Sequence, residues 1–369
     1  MVAFLEANAL LAGLRRWVEI DTPTGDVAGM DRLQDLIEQD FKAMGGQCSR
    51  IAGRNGLGGH LKVDFPGGSA APILIVAHLD TVCQPGYVPI QRDGDRFYGP
   101  GAADMKGGGY LALAAISQIL KLEGGLPRPI TLIYNGDEEI GSPTSRDLIC
   151  EEARKCRYAL VPEPARKDEV ITFRKGRAKY LISATGRAAH AGSAFSAGRN
   201  AIIELARHVL MLSELSDASR ETTVNVGTFN GGSEANVVAS DASAWVDVRF
   251  ANIVEGQRID RIVRGLEPSS GDFTLQIEGE IEKPCLSSAE GSGSFFAQAR
   301  EIARGIGIDL AATHSGGGSD GNFTSSVGTD TLDGLGVIGN EWHSPREHIF
   351  VSALPRREAL LRQLILKLA

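Results

Sequence analysis

Two short apolar runs, ILIVA at 73–77 and ITLIY at 130–134, constrain the fold of this chain more than any other feature. Each is rich in β-branched residues and lacks the polar alternation of a strand with one wet face, so each reads as a strand covered on both sides. Such strands belong to largely parallel sheets with helices packed over them. The surrounding pattern agrees: helical periodicity near Asp31–Met44 and Gly107–Leu122 alternates with strand patterns near His60–Phe65, Ile73–Ala77 and Ile130–Asn135.

From about Lys175 the order changes. Strand (178–185), helix (199–215), two strands (222–229 and 243–250), helix (254–266) and strand (273–281) give the β-α-β-β-α-β order of a ferredoxin-like unit. After Pro284 come a helix at 294–305, a Gly/Ser-rich loop at 314–321, a short strand at 336–339 and a C-terminal helix from Leu354. The expected fold class is therefore α/β: a helix-covered, largely parallel catalytic domain made of 1–174 plus 287–369, carrying an inserted ferredoxin-like α+β domain at 175–286. A length of 369 residues suits two domains.

Composition excludes several function classes. A net charge of −8 with no Lys/Arg block offers no surface for a polyanion, so no nucleic acid partner is expected. No apolar stretch is long enough to cross a bilayer, so no membrane partner is expected either. Residues 1–20 read as an amphipathic helix, with Glu6 inside the apolar run and Arg15-Arg16 behind it, the reverse of a secretory leader's charge order. The five cysteines (Cys48, Cys83, Cys150, Cys156, Cys285) are scattered and contain no C-x-x-C pair, which points to free thiols and a reducing, cytoplasmic setting.

The chemistry sits where apolar runs end. ILIVAHLDTV places His78 at the end of a strand with Asp80 on the same face, either loop polarity or a carboxylate that orients the imidazole. YGPGAADMKGGG sets Asp104 before an apolar helix, as a helix cap or as a ligand. ITLIYNGDEEIGS brings Asp137, Glu138 and Glu139 off a buried strand, a costly place for like charges unless a cation compensates them. Adjacent residues on extended backbone point opposite ways, so one glutamate can bind a metal while its neighbour faces a water. YALVPEP delivers Glu163 between prolines, and GNEWHSPREHIF delivers His343. Two histidines with three or four carboxylates form a mixed N/O set suited to borderline divalent ions.

The ordered set HLDTV, GPGAADMKGG, DEEIGS, VPEP, TGRAAHAG, GGGSD and WHSP resembles the dinuclear zinc metallopeptidase family of glutamate carboxypeptidases, acetylornithine and succinyl-diaminopimelate deacylases, aminoacylases and di- and tripeptidases. The resemblance spans essentially the whole chain and is greatest to the bacterial folate-cleaving glutamate carboxypeptidase branch. It implies two Zn2+ per chain, replaceable by Co2+ or Mn2+: His78 and Glu163 hold one, Glu139 and His343 the other, and Asp104 bridges them. It further implies Asp80 orienting His78, Glu138 as general base, and a cis peptide after Asp104. The inserted domain becomes a lid through which a homodimer forms, with His190 stabilising the oxyanion. Arg249, Asn236, Gly318, Ser319 and Lys283 become substrate contacts. The implied reaction is amide hydrolysis on a small peptide or N-acyl amino acid, either as a carboxypeptidase releasing glutamate or as an N-acyl-amino-acid deacylase or dipeptidase. His60, His208, His314 and His348 carry no motif and read as structural.

Overall fold

The two apolar runs are central strands of one sheet in a computed structural model that describes residues 4–288, 291 and 293–368. In chain order the elements are α1 (Ala7–Val18), α2 (Val27–Lys42), β1 (Gln47–Ile51), β2 (His60–Phe65), β3 (Ile73–His78), β4 (Gln91–Asp93), β5 (Arg96–Tyr98), α3 (Lys106–Glu123), β6 (Ile130–Asn135), α4 (Arg146–Ala153), β7 (Tyr158–Leu160) and β8 (Glu169–Arg174). There follow β9 (Gly176–Thr185), β10 (Ala189–His190), α5 (Ala201–Ser213), β11 (Thr223–Gly231), β12 (Val237–Val238), β13 (Asp241–Phe250), α6 (Ile253–Arg264) and β14 (Thr274–Lys283). The last are β15 (Leu286–Ser287), α7 (Phe295–Arg304), β16 (Ala311–Ser315), α8 (Gly321–Ser326), β17 (Asp330–Leu332), β18 (Gly339–Asn340), β19 (His348–Phe350) and α9 (Leu354–Lys367). They divide into two units: the segments up to Phe173, Leu286–Ser315 and from Ser319 onward, and the segments Arg174–Cys285 with Gly316–Gly318.

The first unit is built on a sheet of order β1-β2-β6-β3-β7-β17. Strands β6, β3, β7 and β17 run parallel, while β2 and β1 add an antiparallel edge. Alternation along these strands feeds two layers. Ile73, Ile75, Ala77, Leu132, Tyr134 and Leu160 join the core shared with Trp17 of α1, Leu111 and Ile116 of α3, and Leu361 of α9. Leu74, Val76, Ile133 and Ala159 pack instead with Ile149 and Ala153 of α4 and Phe323 of α8. All six residues of β3 are buried, as expected for a strand covered on both faces. A small antiparallel sheet, β18-β19-β5-β4, stands beside the main one and carries two of the loops discussed below.

The second unit is an antiparallel sheet of order β11-β13-β9-β14. Ala201, Leu205 and Leu212 of α5 and Ile259 and Val263 of α6 close its core over Tyr180, Ile182, Val246 and Val248. The strands not read from the sequence (β1, β4, β5, β8, β10, β12, β15, β16, β17 and β19) are two to six residues long, mostly too short to display a period, and β1 and β4 have no buried residue.

The glycine triplet opening α3 explains how close this helix lies to the neighbouring chain. A Cβ on Gly107 would meet the Ala102 carbonyl oxygen at 2.3 Å, one on Gly108 the Pro162 carbonyl oxygen at 1.7 Å, and one on Gly109 the Tyr134 ring at 3.0 Å. Pro162 immediately precedes Glu163, so the fit of this helix sets where Glu163 stands. Gly108→Ala should cost about 1–3 kcal/mol through overpacking, seen as a melting temperature several degrees lower. Gly125→Ala, with nothing within 4 Å of its Cβ, should leave the melting temperature near wild type in the same scan.

Candidate metal centre

Three parallel strands end side by side, and each delivers a polar group at its carboxyl end, where open α/β sheets present their ligands. His78 is the last residue of β3, Glu138 and Glu139 follow β6 after a three-residue step, and Glu163 follows β7 by three residues. The other two groups come from the small sheet: Asp104 from the loop after β5, and His343 from the loop between β18 and β19. His343 and Glu341 adopt positive φ of 62° and 60° there, a tight reversal that turns the imidazole back toward Asp104. The peptide Asp104-Met105 is cis.

Asp104 lies between the two histidines. Its Oδ1 is 3.2 Å from His78 Nε2, and its Oδ2 is 3.0 Å from His343 Nε2. Around the first contact Glu163 Oε1 lies 3.9 Å from His78 Nε2, and around the second Glu139 Oε2 lies 3.3 Å from His343 Nε2. One ligand atom each from His78, Asp104 and Glu139 falls within a 4.8 Å sphere of mutual distances, so the two halves form a single cluster. Helix α3 has no side-chain N-cap, which leaves the Asp104 carboxylate to the cluster instead of the helix end.

The electrostatics call for positive charge. Burial works against a proton on His78, but hydrogen bonds to Asp104 and Asp80 and the charges of Glu138 and Glu163 outweigh it and push its pKa well up. Contacts with Asp104 and Glu139 push His343 to about 10. Burial raises Glu139 to about 7, while Asp104, though buried, is held well below the usual carboxylate range by His343 and His78. Glu139 Oε1 is buried without a hydrogen-bond partner. An orphaned carboxylate oxygen beside two imidazole nitrogens and a shared carboxylate fits a divalent cation pair: His78 and Glu163 on one side, His343 and Glu139 on the other, Asp104 common to both.

Asp80 is fully buried and does more than orient an imidazole. Its Oδ1 accepts from the Glu138 N–H (3.1 Å), and its Oδ2 accepts from the Glu139 N–H (3.2 Å) and the Thr24 hydroxyl (2.8 Å). His78 Nδ1 lies 2.9 Å from the Asp80 backbone carbonyl and 3.5 Å from its carboxylate. The carbonyl is therefore the closer acceptor, and a proton on Nδ1 leaves Nε2 directed at the cluster. The three acids of DEE do not sit on extended backbone. Glu138 and Glu139 open a one-turn 3-10 helix, Glu138–Ile140, and its rotation, not strand alternation, separates their side chains. Asp137 is structural, accepting from the N–H and hydroxyl of both Thr144 and Ser145.

The remaining sequence candidates are placed unequally. His190 is exposed, and its Nδ1 accepts from the N–H groups of Gly192 and Ser193, both at 3.1 Å. That puts the proton of the neutral ring on Nε2, as an outward donor. Asn236 is exposed on the neighbouring turn, its carbonyl accepting from Ala191 N–H. Arg249 pairs with Asp247 two residues back on its own strand (2.7 Å) and reaches the Gly316 carbonyl at 3.5 Å, beside partly exposed Gly318. Lys283 is buried, 4% exposed. Ser319 is fully buried, its N–H donating to Asn322 Oδ1 and its hydroxyl to Asp333, so its donors are used within the fold. His60 bonds Thr144 and Gly136 N–H, and His348 bonds the Arg346 carbonyl, both structural uses. Thr24, which bonds Asp80, and Glu347, buried against the Asp104 loop, escape sequence reasoning because the contacts that give each a role form only in the fold.

The profile of Peptidase family M20/M25/M40 matches residues 74–367. Carboxypeptidase G2 of Pseudomonas sp. (strain RS-16) is 30% identical, the alignment covering 98% of this chain and 90% of that protein. Succinyl-diaminopimelate desuccinylase of Bordetella pertussis is 27% identical over 89% of this chain and 91% of its own length. Among solved structures, aminopeptidase PepT from Bacillus cereus superposes with a TM-score of 0.80 at 22% identity, covering 98% of this chain and 99% of its own. The metallo-carboxypeptidase Sso-CP2 from Sulfolobus solfataricus superposes with 0.79 at 18%, covering 96% and 98%.

Stripping divalent metal with a chelator should lower the melting temperature by several degrees, because the buried carboxylates lose the charge that compensates them, and zinc should restore it. An unchanged melting curve through both steps would count against a metal in this cluster.

Proposed function

Because this chain belongs to peptidase family M20/M25/M40, we propose that it is a dinuclear zinc carboxypeptidase that cleaves the amide joining a C-terminal amino acid, glutamate favoured, to a peptide or N-acyl group. The observation that carries the reading is the division of the Asp104 oxygens between His78 and His343, each with its own glutamate nearby. Similarity to carboxypeptidase G2 over 98% of the chain supports the carboxypeptidase reading. The desuccinylase relatives at 27% identity support the second one, an N-acyl-amino-acid deacylase using the same residues.

Two zinc ions, when bound, would supply Lewis acidity toward the scissile carbonyl and lower the pKa of a water toward about 7. Glu138 would accept a proton from the attacking water and deliver it to the leaving amine, a contribution of about 10²- to 10⁴-fold. Its backbone is fixed by Asp80, and its side chain, 9% exposed, keeps a narrow path to solvent. His190, with Nε2–H directed outward, is suited to donate to the developing oxyanion. Arg249, Asn236 and Gly318 are proposed to receive the substrate's α-carboxylate.

We assign the homodimer to the second unit. Strand β11 is the edge of its sheet, with Phe229 40% exposed, and α5 beside it presents Ile203 and Leu210, 53% and 67% exposed. An unpaired edge flanked by apolar helix positions is suited to self-pairing. Five unpaired cysteines support a reducing, cytoplasmic setting.

Folate-type glutamate conjugates, dipeptides, and N-acetyl and N-succinyl amino acids should be assayed side by side, with the glutamate conjugates turned over fastest. Activity confined to acylated amino acids would replace the carboxypeptidase by the deacylase. Glu138→Gln should lower kcat at least about 10²-fold while metal analysis still finds two zincs per chain. In light scattering, Leu210→Arg should shift a dimer toward monomer.

A further inference from the structure

We propose that Glu347 is a positioning residue of the metal centre: it holds the loop that aims Asp104 and ties that loop to the segment carrying His343. Glu347 is 1% exposed. Its Oε1 accepts from the N–H groups of Ala103 (2.8 Å) and Asp104 (3.1 Å), and its Oε2 accepts from the N–H of Gly101 (3.2 Å). These donors precede α3, where no side-chain cap is present, so one carboxylate satisfies three amides that would otherwise be buried without partners.

A neutral acceptor could cap such a loop at lower cost. Placing a buried carboxylate against the loop that bears Asp104 adds like charge where burial already disfavours it. The expense is rational if the charge serves the cations that the neighbours hold, since an uncoordinated anion close to a site strengthens cation binding and orients its ligands. Location supports this. Glu347 lies four residues after His343 and begins the return into β19, which pairs with β5, the strand that leads into the Asp104 loop. Its three hydrogen bonds cross between the two loops that supply Asp104 and His343, which face each other at 3.0 Å. Gly101, at φ +72°, curls its N–H into this cradle. Glu347 makes none of the imidazole contacts of the cluster and is assigned no contact with substrate.

The inference rests on the metalloenzyme reading, and the experiment separates the two. Zn2+ affinity is measured on wild type, Glu347→Gln and Glu347→Asp by competition with a fluorescent chelator, alongside melting curves of the metal-free proteins and kcat and KM of the zinc-loaded ones. Expected are a zinc affinity for Glu347→Gln about 10- to 100-fold weaker, a metal-free melting temperature close to wild type, a lowered kcat with KM nearly unchanged, and partial recovery in Glu347→Asp. Wild-type zinc affinity in Glu347→Gln overturns the proposal and leaves the metalloenzyme reading intact; a wild type that binds no zinc overturns both. Should Glu347→Gln fail to fold, Glu347→Asp decides: weakened zinc binding in a folded protein supports the role, and wild-type affinity refutes it.

Discussion

One carboxylate placed between two imidazoles, each oxygen committed to a different ring, is the constraint to which the rest of the first unit conforms. Asp104 can serve both histidines only if its backbone is fixed, both rings are aimed, and the glutamates behind them can be buried as anions. Each demand is met by a separate part of the fold. The parallel strands bring His78, Glu139 and Glu163 to a common edge, and the small antiparallel sheet brings Asp104 and His343 to meet them. Burying several acids together is unfavourable by itself, so the arrangement makes sense as a charge-compensated socket.

Around that socket lies a second set of acids that never meets it directly as ligands. Asp137 collects four donors from Thr144 and Ser145, and Asp320 accepts from Asn135 and Ser142. Asp80 holds the two amides that start the Glu138–Ile140 turn. Buried carboxylates of this kind are tolerated because backbone N–H and hydroxyl donors satisfy them. The turn bearing Glu138 is thus pinned from both sides.

Much of this was legible in the sequence, for physical reasons that can be named. ILIVA and ITLIY announced buried strands because a two-faced strand needs apolar residues at every position, and the β-α-β-β-α-β order of the second unit followed from clean alternation in long strands. The clustering of His78, Asp104, Glu139, Glu163 and His343 was foreshadowed by acids gathered at strand ends, which need a cation. Short-range geometry was less visible. Extended backbone for Glu138 and Glu139 was the natural reading of a strand end, yet a 3-10 turn prevails because Asp80, 58 residues upstream, captures their amides. Ser319 looked like a free donor in a glycine-rich loop, and only the local turn to Asn322 and the contact with Asp333 show its donors to be spent. Arg249 met an acid two positions back on its own face, a pairing the alternation rule permits but cannot assert.

The two histidines differ in one respect that bears on kinetics more than on affinity. The His78 side chain is 1% exposed, whereas that of His343 is 50% exposed on a loop turned by left-handed residues. Under the proposed two-ion reading, a cation held by His343 would sit closer to solvent than one held by the buried His78. Two such positions sharing a carboxylate would then differ in residence time. Metal exchange would on that reading proceed in sequence, the ion at His343 before the ion at His78.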